Sequence, residues 1–158
     1  MKRSYDIINK EVILLSEKEL VAELANQNDK IAYQALLQIE RLSTESNKFY
    51  FYLDDFERML DNEKSYIRVR GFRLLCKQAQ WDKENKLDSK IDHMLKKLEE
   101  DGPTAIRQYL KALSNLLLYK VSLTEKISTK LTNIDLTKFK ESMRPLIKQD
   151  IENILKTI

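Results

Sequence analysis

The segment Ser65–Gly71 has the sequence Ser-Tyr-Ile-Arg-Val-Arg-Gly, and its central Ile67 belongs to an apolar pattern that repeats along the chain. In this pattern an apolar residue recurs every 36 to 39 positions, and Ile31, Ile67, Ile106 and Met143 form the row. A second apolar row repeats at nearly the same interval and comprises Leu24, Leu60, Leu98 and Ile134. This period is typical of stacked helical hairpins, because one pair of helices cannot bury its apolar face alone. The sequence therefore predicts an all-α fold of about four antiparallel helix pairs.

The composition agrees with long helices in a single domain. The chain has 158 residues, 42% of them hydrophobic, which is enough for one continuous core. It contains only two glycines and two prolines, whereas strand-rich folds need more turn residues. Cys76 is the only cysteine, so no intrachain disulfide can form. Because Ser4–Lys10 is too polar for the core of a signal peptide and no apolar run could span a bilayer, we expect a cytoplasmic protein.

The repeat divides the chain into four predicted units and leaves residues 1–15 unassigned. The predicted helix pairs cover residues 16–45, 47–81, 87–120 and 123–158. Ser16 and Glu19 have the spacing of a capping box, which predicts that the first helix begins there. Gly102 and Pro103 end one helix and begin the next, as the preferences of helix termini favour. We further expect Asp88 to cap the fifth helix and Ser142 to cap the last one.

Aromatic residues are concentrated at the start of the predicted third helix, which covers about residues 48–62. Phe49, Tyr50, Phe51 and Tyr52 are consecutive, and successive residues on an α-helix point about 100° apart. They cannot all face the core. We expect Tyr50 or Tyr52 to be partly exposed.

The start of each second helix carries a further motif. Ile67-Arg68, Ile106-Arg107 and Met143-Arg144 align in the repeat, and each follows a turn that contains an acidic residue. This pattern resembles HEAT repeats, most closely in Ser65–Gly71 and Thr104–Gln108. The resemblance implies a right-handed α-solenoid, in which second helices line the inner, concave face.

A longer set of residues makes the resemblance more specific. It runs from Tyr66–Gly71, through Trp81-Asp82 and Ile106–Gln108, to Ser142–Ile151, and it resembles a family of short bacterial HEAT-like proteins with no assigned activity. The likeness covers about residues 20–158. Some HEAT-like relatives bind alkylated DNA, but none of their base-handling residues can be matched here. In the first pair Ala32 replaces the arginine, so this pair is interpreted as a terminal cap.

The three repeat arginines, Arg68, Arg107 and Arg144, have two interpretations. In the structural one, each guanidinium bridges turn carboxylates and helix-end carbonyls between adjacent repeats. In the other, they bind a ligand. Their position in the repeat favours the structural role.

A basic stripe on the predicted fourth helix is the candidate partner-binding surface. Arg70, Arg73, Lys77 and Trp81 lie at positions i, i+3, i+7 and i+11, and Arg and Trp often anchor interfaces. The candidate contact residues are Tyr66, Arg70, Arg73, Lys77 and Trp81, with Lys111 and Lys148 in support. The alternative is a solvated basic face, with Trp81 packed under the following loop and the lysines simply exposed.

Catalysis has little support in the sequence. His93 is the only histidine, no second imidazole or cysteine lies at metal-ligand spacing, and Cys76 falls on an apolar helix face. Two glycines cannot form a phosphate-binding or dinucleotide-binding loop. We therefore expect no catalytic residues, no metal and no cofactor.

The predicted function is that of a non-catalytic adaptor, whose concave face binds an acidic or amphipathic segment of another protein. The alternative is binding to the DNA backbone through the same stripe. The formal net charge is only +3 and the basic residues are dispersed, which gives nucleic-acid binding weak support. No membrane partner is expected.

Overall fold

The computed structural model describes residues 4–8 and 11–158. Asn9 and Lys10, which belong to the segment Ser4–Lys10 on which the signal-peptide prediction rests, lie outside the described residues, as do residues 1–3. Across the described part of the chain, no helix combines the length and apolar character that crossing a bilayer requires.

Eight α-helices account for most of residues 16–158, which confirms the all-α fold. Ahead of them, strands β1 (Ser4–Ile8) and β2 (Glu11–Leu15) form an antiparallel hairpin, where no element was predicted. The helices are α1 (Glu17–Glu23), α2 (Asp29–Ser43), α3 (Leu53–Met59), α4 (Ser65–Lys77), α5 (Ile91–Glu100), α6 (Pro103–Tyr119), α7 (Thr124–Thr132) and α8 (Arg144–Lys156).

The predicted helix ends agree with the structure where a local motif defined them. Ser16 and Glu19 form a complete capping box at the start of α1, and Pro103 occupies the first turn of α6 directly after Gly102. Asp88 and Ser142 are not the predicted caps, because α5 and α8 begin later, after Lys90 and Met143. The 3-10 turn Leu87–Ser89 precedes α5, and a turn at residues 141–143 precedes α8.

A 3-10 turn also changes which aromatic residue is exposed. Lys48–Tyr52 forms this tighter turn, and the α-helix begins only at Leu53. Side chains in a 3-10 helix repeat every three residues, so the α-helical prediction of their directions does not apply. Phe51 is therefore the most exposed ring, Tyr50 is buried, and Tyr52 is partly exposed, which agrees with the expectation that one of these two tyrosines would be.

The second helices of successive pairs pack against each other. Helix α4 contacts α2 and α6, and α6 also contacts α8; each second helix contacts the first helix of its own pair. Between α4 and α6, the rings of Phe72 and Tyr109 lie 4.3 Å apart and are both fully buried. The buried side chains form one core cluster along these contacts.

The two predicted apolar rows reach the core to different extents. Three members of the first row are fully buried, and Ile134 is partly buried. In the second row Ile106 is fully buried, whereas the other three are partly exposed. This row lies at the start of each second helix.

Helices α3 and α4 approach each other most closely at Gly71. A Cβ atom at this position would lie 2.6 Å from both the Cβ of Met59 and the backbone oxygen of Phe56. Both of these atoms belong to residues of α3. Only glycine therefore permits this distance between the two helices.

Asp101, in the turn between α5 and α6, is a buried acceptor that joins two helix pairs. Its carboxylate binds the Arg68 guanidinium at Nε (3.1 Å) and Nη2, and it accepts a hydrogen bond from the Tyr109 hydroxyl. Arg68 also donates to the backbone oxygen of Asn62, 2.7 Å away in the turn before α4. The guanidinium therefore bridges a turn acid and a turn carbonyl of adjacent pairs, which is the kind of contact that the structural interpretation describes.

The other repeat arginines make parts of the same arrangement. Arg144 donates to the backbone oxygens of Phe139 (2.8 Å) and Thr137 (3.0 Å) and thereby ties down the turn before α8. Arg107 instead pairs with Asp150 of α8, at 2.7 Å from Nε. All three arginine side chains bind groups within this chain. Each contact either connects two helix pairs or holds a turn in place.

A second buried aspartate, Asp82, joins the second and third pairs after α4. Its carboxylate accepts hydrogen bonds from the Tyr50 hydroxyl (2.6 Å) and from the backbone nitrogens of Lys86 and Leu87, and it pairs with Lys120 at 3.0 Å. Burial and the hydrogen bond to Asp82 raise the pKa of Tyr50 above its usual value, so the phenol stays a donor. Asp82 is thus satisfied entirely within the protein.

Candidate functional site

An open groove of about 470 Å³ lies along α4, between α2 and α6. Three residues of α4 form its base: Arg73, Cys76 and Lys77. Helix α2 contributes Tyr33, Glu40, Arg41 and Thr44. Helix α6 contributes Gln108, Lys111, Ala112 and Asn115. We call the space enclosed by these residues the cationic groove, because four of them are basic and Glu40 alone is acidic.

The Arg73 side chain is bound by groups of the protein itself on one side of the groove. Its Nε and Nη2 atoms lie 3.0 and 2.6 Å from the two carboxylate oxygens of Glu40, which links α4 to α2. Its Nη1 atom lies 3.5 Å from Oε1 of Gln108 on α6. Although burial opposes the charge, the bond to Glu40 raises the pKa of Arg73, so the pair is neutral as a whole.

The remaining cations of the groove have no carboxylate partner among the described residues. The side chains of Lys77, half-buried on α4, and of Lys111, exposed on α6, make neither an ion pair nor a hydrogen bond with the described chain. Arg41 donates only to Oε1 of Gln38, its neighbour on α2. The groove therefore presents positive charge that is not neutralised internally, with Tyr33 and Ala112 as apolar surface.

Cys76 lies beneath this charged surface and is not available for chemistry. Its side chain is fully buried, and burial raises the pKa of the thiol well above its usual value. A protonated, enclosed thiol is a poor nucleophile. Its backbone oxygen accepts a hydrogen bond from Nδ2 of Asn115 at 3.1 Å, which fixes α6 against α4 at the groove.

The predicted stripe on α4 is only partly a surface. Arg70 is buried, pairs with Asp29 at the start of α2, and lies over the exposed ring of Tyr66 at 5.0 Å. Trp81 is half-buried, and its Nε1 donates to the backbone oxygen of Ser43 at 2.7 Å. Both side chains therefore join the second pair to the first. A direct contact of either with a partner stays a prediction.

The structure brings Arg73, Lys77 and Lys111 together in the groove and leaves Lys148 apart, exposed on α8. Sequence reasoning did not identify Tyr33 and Arg41 of α2 or Gln108 and Asn115 of α6. Their helical spacing was a usable signal for one face of each helix. It did not indicate which faces of three separate helices would meet.

His93 is the centre of a second polar cluster, on the side of α5 that meets α3. Its Nδ1 and Nε2 atoms lie 2.9 and 2.7 Å from carboxylate oxygens of Glu57 and Asp61. Lys90 binds Glu57 at 2.9 Å and also pairs with Asp54. Across the described residues, no group of three or more His, Cys, Asp or Glu side chains is placed to hold a metal ion. The cluster is an ion-pair network between two helices.

We expect replacement of His93 by glutamine to weaken the protein at acidic pH but not at alkaline pH. Partial burial opposes the imidazolium, but its bonds to Glu57 and Asp61 raise the pKa of His93 above the usual value of about 6.5. The stabilisation is therefore complete below about pH 6.5 and is lost as the pH rises through the folded-state pKa. Urea unfolding of both proteins from about pH 5.5 to about pH 9 should show a difference of up to about 1 kcal/mol that disappears at high pH. Because the chain has no other histidine, a difference that does not change with pH would contradict this role.

Comparison with known proteins adds no family to this description. The chain matches no protein-family model, and neither the curated proteins nor the solved structures include a match. The geometry and charge of the groove are therefore the observations that bear on function.

Proposed function

We propose that this protein is a non-catalytic, cytoplasmic adaptor, which binds an acidic or amphipathic segment of another protein in the cationic groove. The observation that carries the proposal is the unpaired positive charge of Lys77 and Lys111, beside an Arg73 that Glu40 already neutralises. We further propose that the four pairs stack as a short right-handed, HEAT-like solenoid, with the second helices on its concave face. The contacts of α4 with α2 and α6 and of α6 with α8 support this arrangement.

The charges outside the groove support the choice of this surface. Basic residues at the start of α5 and on α7 pair with carboxylates of the preceding first helix: Lys90 with Asp54, Lys126 with Asp92 and Lys130 with Glu99. Those cations are used to hold neighbouring pairs together. Lys77 and Lys111 face a common space without such partners, so an acidic segment would neutralise them and would be attracted from a distance.

The distribution of charge favours a protein over nucleic acid as the partner. A surface that follows a phosphate backbone presents basic groups along its whole length. The groove has one cation without a carboxylate partner on each of three helices, Arg41 on α2, Lys77 on α4 and Lys111 on α6, no residue of α8 lines it, and the acidic Glu40 lies among them. Tyr33 and Ala112 add apolar surface, which a peptide side chain can cover and a phosphate backbone cannot.

The test is capture of partners from cell lysate by the wild-type protein and by the double variant Lys77→Glu, Lys111→Glu. We expect recovery of the specific partners, measured by mass spectrometry, to fall about tenfold or more, since reversed charges repel an acidic segment. Lys18→Glu, Lys156→Glu is the matched control, because both lysines are exposed and belong to other surfaces. Circular dichroism should show that all variants keep the helical fold.

Two results would count against the proposal. Equal recovery by the groove variant and the control would exclude the groove as the binding surface. Tight binding to a fluorescent DNA duplex, falling steeply between about 50 and about 200 mM salt, would favour nucleic acid instead. Variants at Arg70 or Arg73 would not serve, since reversing either charge also breaks an ion pair between α2 and α4.

A further inference from the structure

Three large apolar side chains are exposed together where α6 ends. Leu118 is 72% exposed, Tyr119 49% and Val121 73%. Leu118 and Val121 are among the most exposed apolar side chains of the described residues, and only Phe51 exceeds them. We call Leu118, Tyr119 and Val121 the apolar end.

The apolar end continues the α6 side of the cationic groove. Leu118 follows Lys111 by seven residues, and Tyr119 follows Ala112 by seven residues, so each pair lies on one face of the helix. Seven residues of α-helix correspond to about 10 Å along the axis. The cationic and apolar surfaces are thus successive parts of one helix face.

A second cavity lies beside the apolar end. It has a volume of about 420 Å³, and Ala79, Gln80, Tyr119 and Val121 are among the residues that line it. Gln80 follows Lys77 by one helical turn, and Tyr119 follows Asn115 by one turn, so this cavity adjoins the cationic groove. The charged groups at its base, Asp82 and Lys120, are paired with each other at 3.0 Å. Lys83 is the other charged residue on its rim.

We propose that the partner segment is bipartite: a carboxylate binds Lys77 and Lys111, and a large apolar side chain about 10 Å away covers the apolar end. This inference rests on the proposed function and adds the sequence character of the partner. An extended chain rises about 3.3 Å per residue, so the acidic and apolar residues are separated by about three residues. Charge complementarity selects an occupant that carries a carboxylate over a purely apolar segment. Because Lys83 lies on the rim of the second cavity, an acidic residue of the partner next to its apolar side chain would also meet a positive charge.

The test uses a displayed library of random peptides selected on the wild-type protein. We expect enriched peptides to carry an acidic residue about three positions from Phe, Leu, Ile, Met or Trp. The best peptide is then labelled, and its affinity is measured by fluorescence anisotropy for two variants: Lys77→Glu, Lys111→Glu in the cationic groove and Leu118→Ser, Val121→Ser in the apolar end. Each should bind about tenfold more weakly or worse. Leu146→Ser, Ile158→Ser removes exposed apolar side chains on α8 and after it, and should bind like wild type.

The outcomes separate this inference from the function on which it rests. Loss of affinity in both the lysine variant and the Leu118→Ser, Val121→Ser variant supports a bipartite segment. Loss in the lysine variant alone, with Leu118→Ser, Val121→Ser unchanged, overturns the apolar part and leaves the groove as an acidic-peptide site. Peptides that bind both variants as tightly as wild type, or a selection that enriches no peptide, would contradict the inference and the groove together. Because Leu118 and Val121 are more than 70% exposed, their replacement leaves the core intact.

Discussion

Replacing Asp101 by alanine is expected to lower the free energy of unfolding by about 3–5 kcal/mol, the range measured when one partner of a buried ion pair is removed. The Asp101 side chain is almost fully buried, and it is the shared acceptor for Arg68 and Tyr109. Burial and the bond to Asp101 raise the pKa of Tyr109, so its hydroxyl remains protonated and still requires an acceptor. The variant would leave the Tyr109 hydroxyl without an acceptor for its proton and the Arg68 charge without its carboxylate.

Asp150→Ala is the matched control for this experiment. Asp150 also pairs with a repeat arginine, but the Arg107 side chain is 40% exposed, and such pairs contribute about 0–1 kcal/mol. Thermal unfolding should place Asp101→Ala about 10 °C below wild type and Asp150→Ala within a few degrees. Adding Tyr109→Phe to Asp101→Ala should recover part of the loss, because the phenol no longer needs a partner. Equal losses in the two aspartate variants would show that Asp101 is not the link between the pairs.

Much of the fold was predictable, because it follows from periodic features of the sequence. The apolar rows mark where each helix meets the core, and the capping box at Ser16 and the Gly102-Pro103 junction mark helix ends by local chemistry. The errors at Asp88 and Ser142 have a common cause. In both places a turn that is not α-helical lies where the helix was expected to begin, the 3-10 turn Leu87–Ser89 before α5 and a turn at residues 141–143 before α8. Such turns depend on tertiary contacts, such as the hydrogen bond from the Leu87 nitrogen to Asp82.

The candidate site was less predictable, because it depends on how separate helices meet. Spacing placed Arg70, Arg73 and Lys77 on one face of α4, and Arg73 and Lys77 do lie together in the groove. Spacing could not indicate that Asp29 and Glu40 of α2 would neutralise the two arginines and leave Lys77 free. The partners lie 41 and 33 residues away in the sequence. Tyr33 and Arg41 were missed for the same reason, since their relevance comes from the contact of α2 with α4.

Polar contacts around the groove also hold the helices α2, α4 and α6 together. Arg70 and Arg73 hold α2 against α4, and Asn115 holds α6 against the end of α4. These polar groups lie around the groove and are bound within the chain. The unpaired lysines can therefore bind a partner without the loss of any contact that maintains the shape.

Replacement of Gly71 by alanine is expected to destabilise the protein by about 2 kcal/mol, with a larger effect for valine. In an ordinary helix interior the change from glycine to alanine stabilises by up to about 1 kcal/mol, because it reduces the conformational freedom of the unfolded chain. At Gly71 the new Cβ would lie 2.6 Å from the backbone oxygen of Phe56, which cannot move without shifting α3. The sign of the effect therefore reports whether α3 and α4 pack at this distance.

Gly102 is the control, because it is the only other glycine in the chain. Nothing lies within 4 Å of a Cβ atom built there, and its φ of −76° suits any residue. Gly102→Ala should therefore change the free energy of unfolding by less than about 1 kcal/mol, the loss being that of a modest N-cap residue. Urea unfolding of the two alanine variants under one set of conditions gives the comparison. A stabilised Gly71→Ala protein would mean that the two helices lie further apart than described, and that the layer of second helices which forms the groove is placed differently.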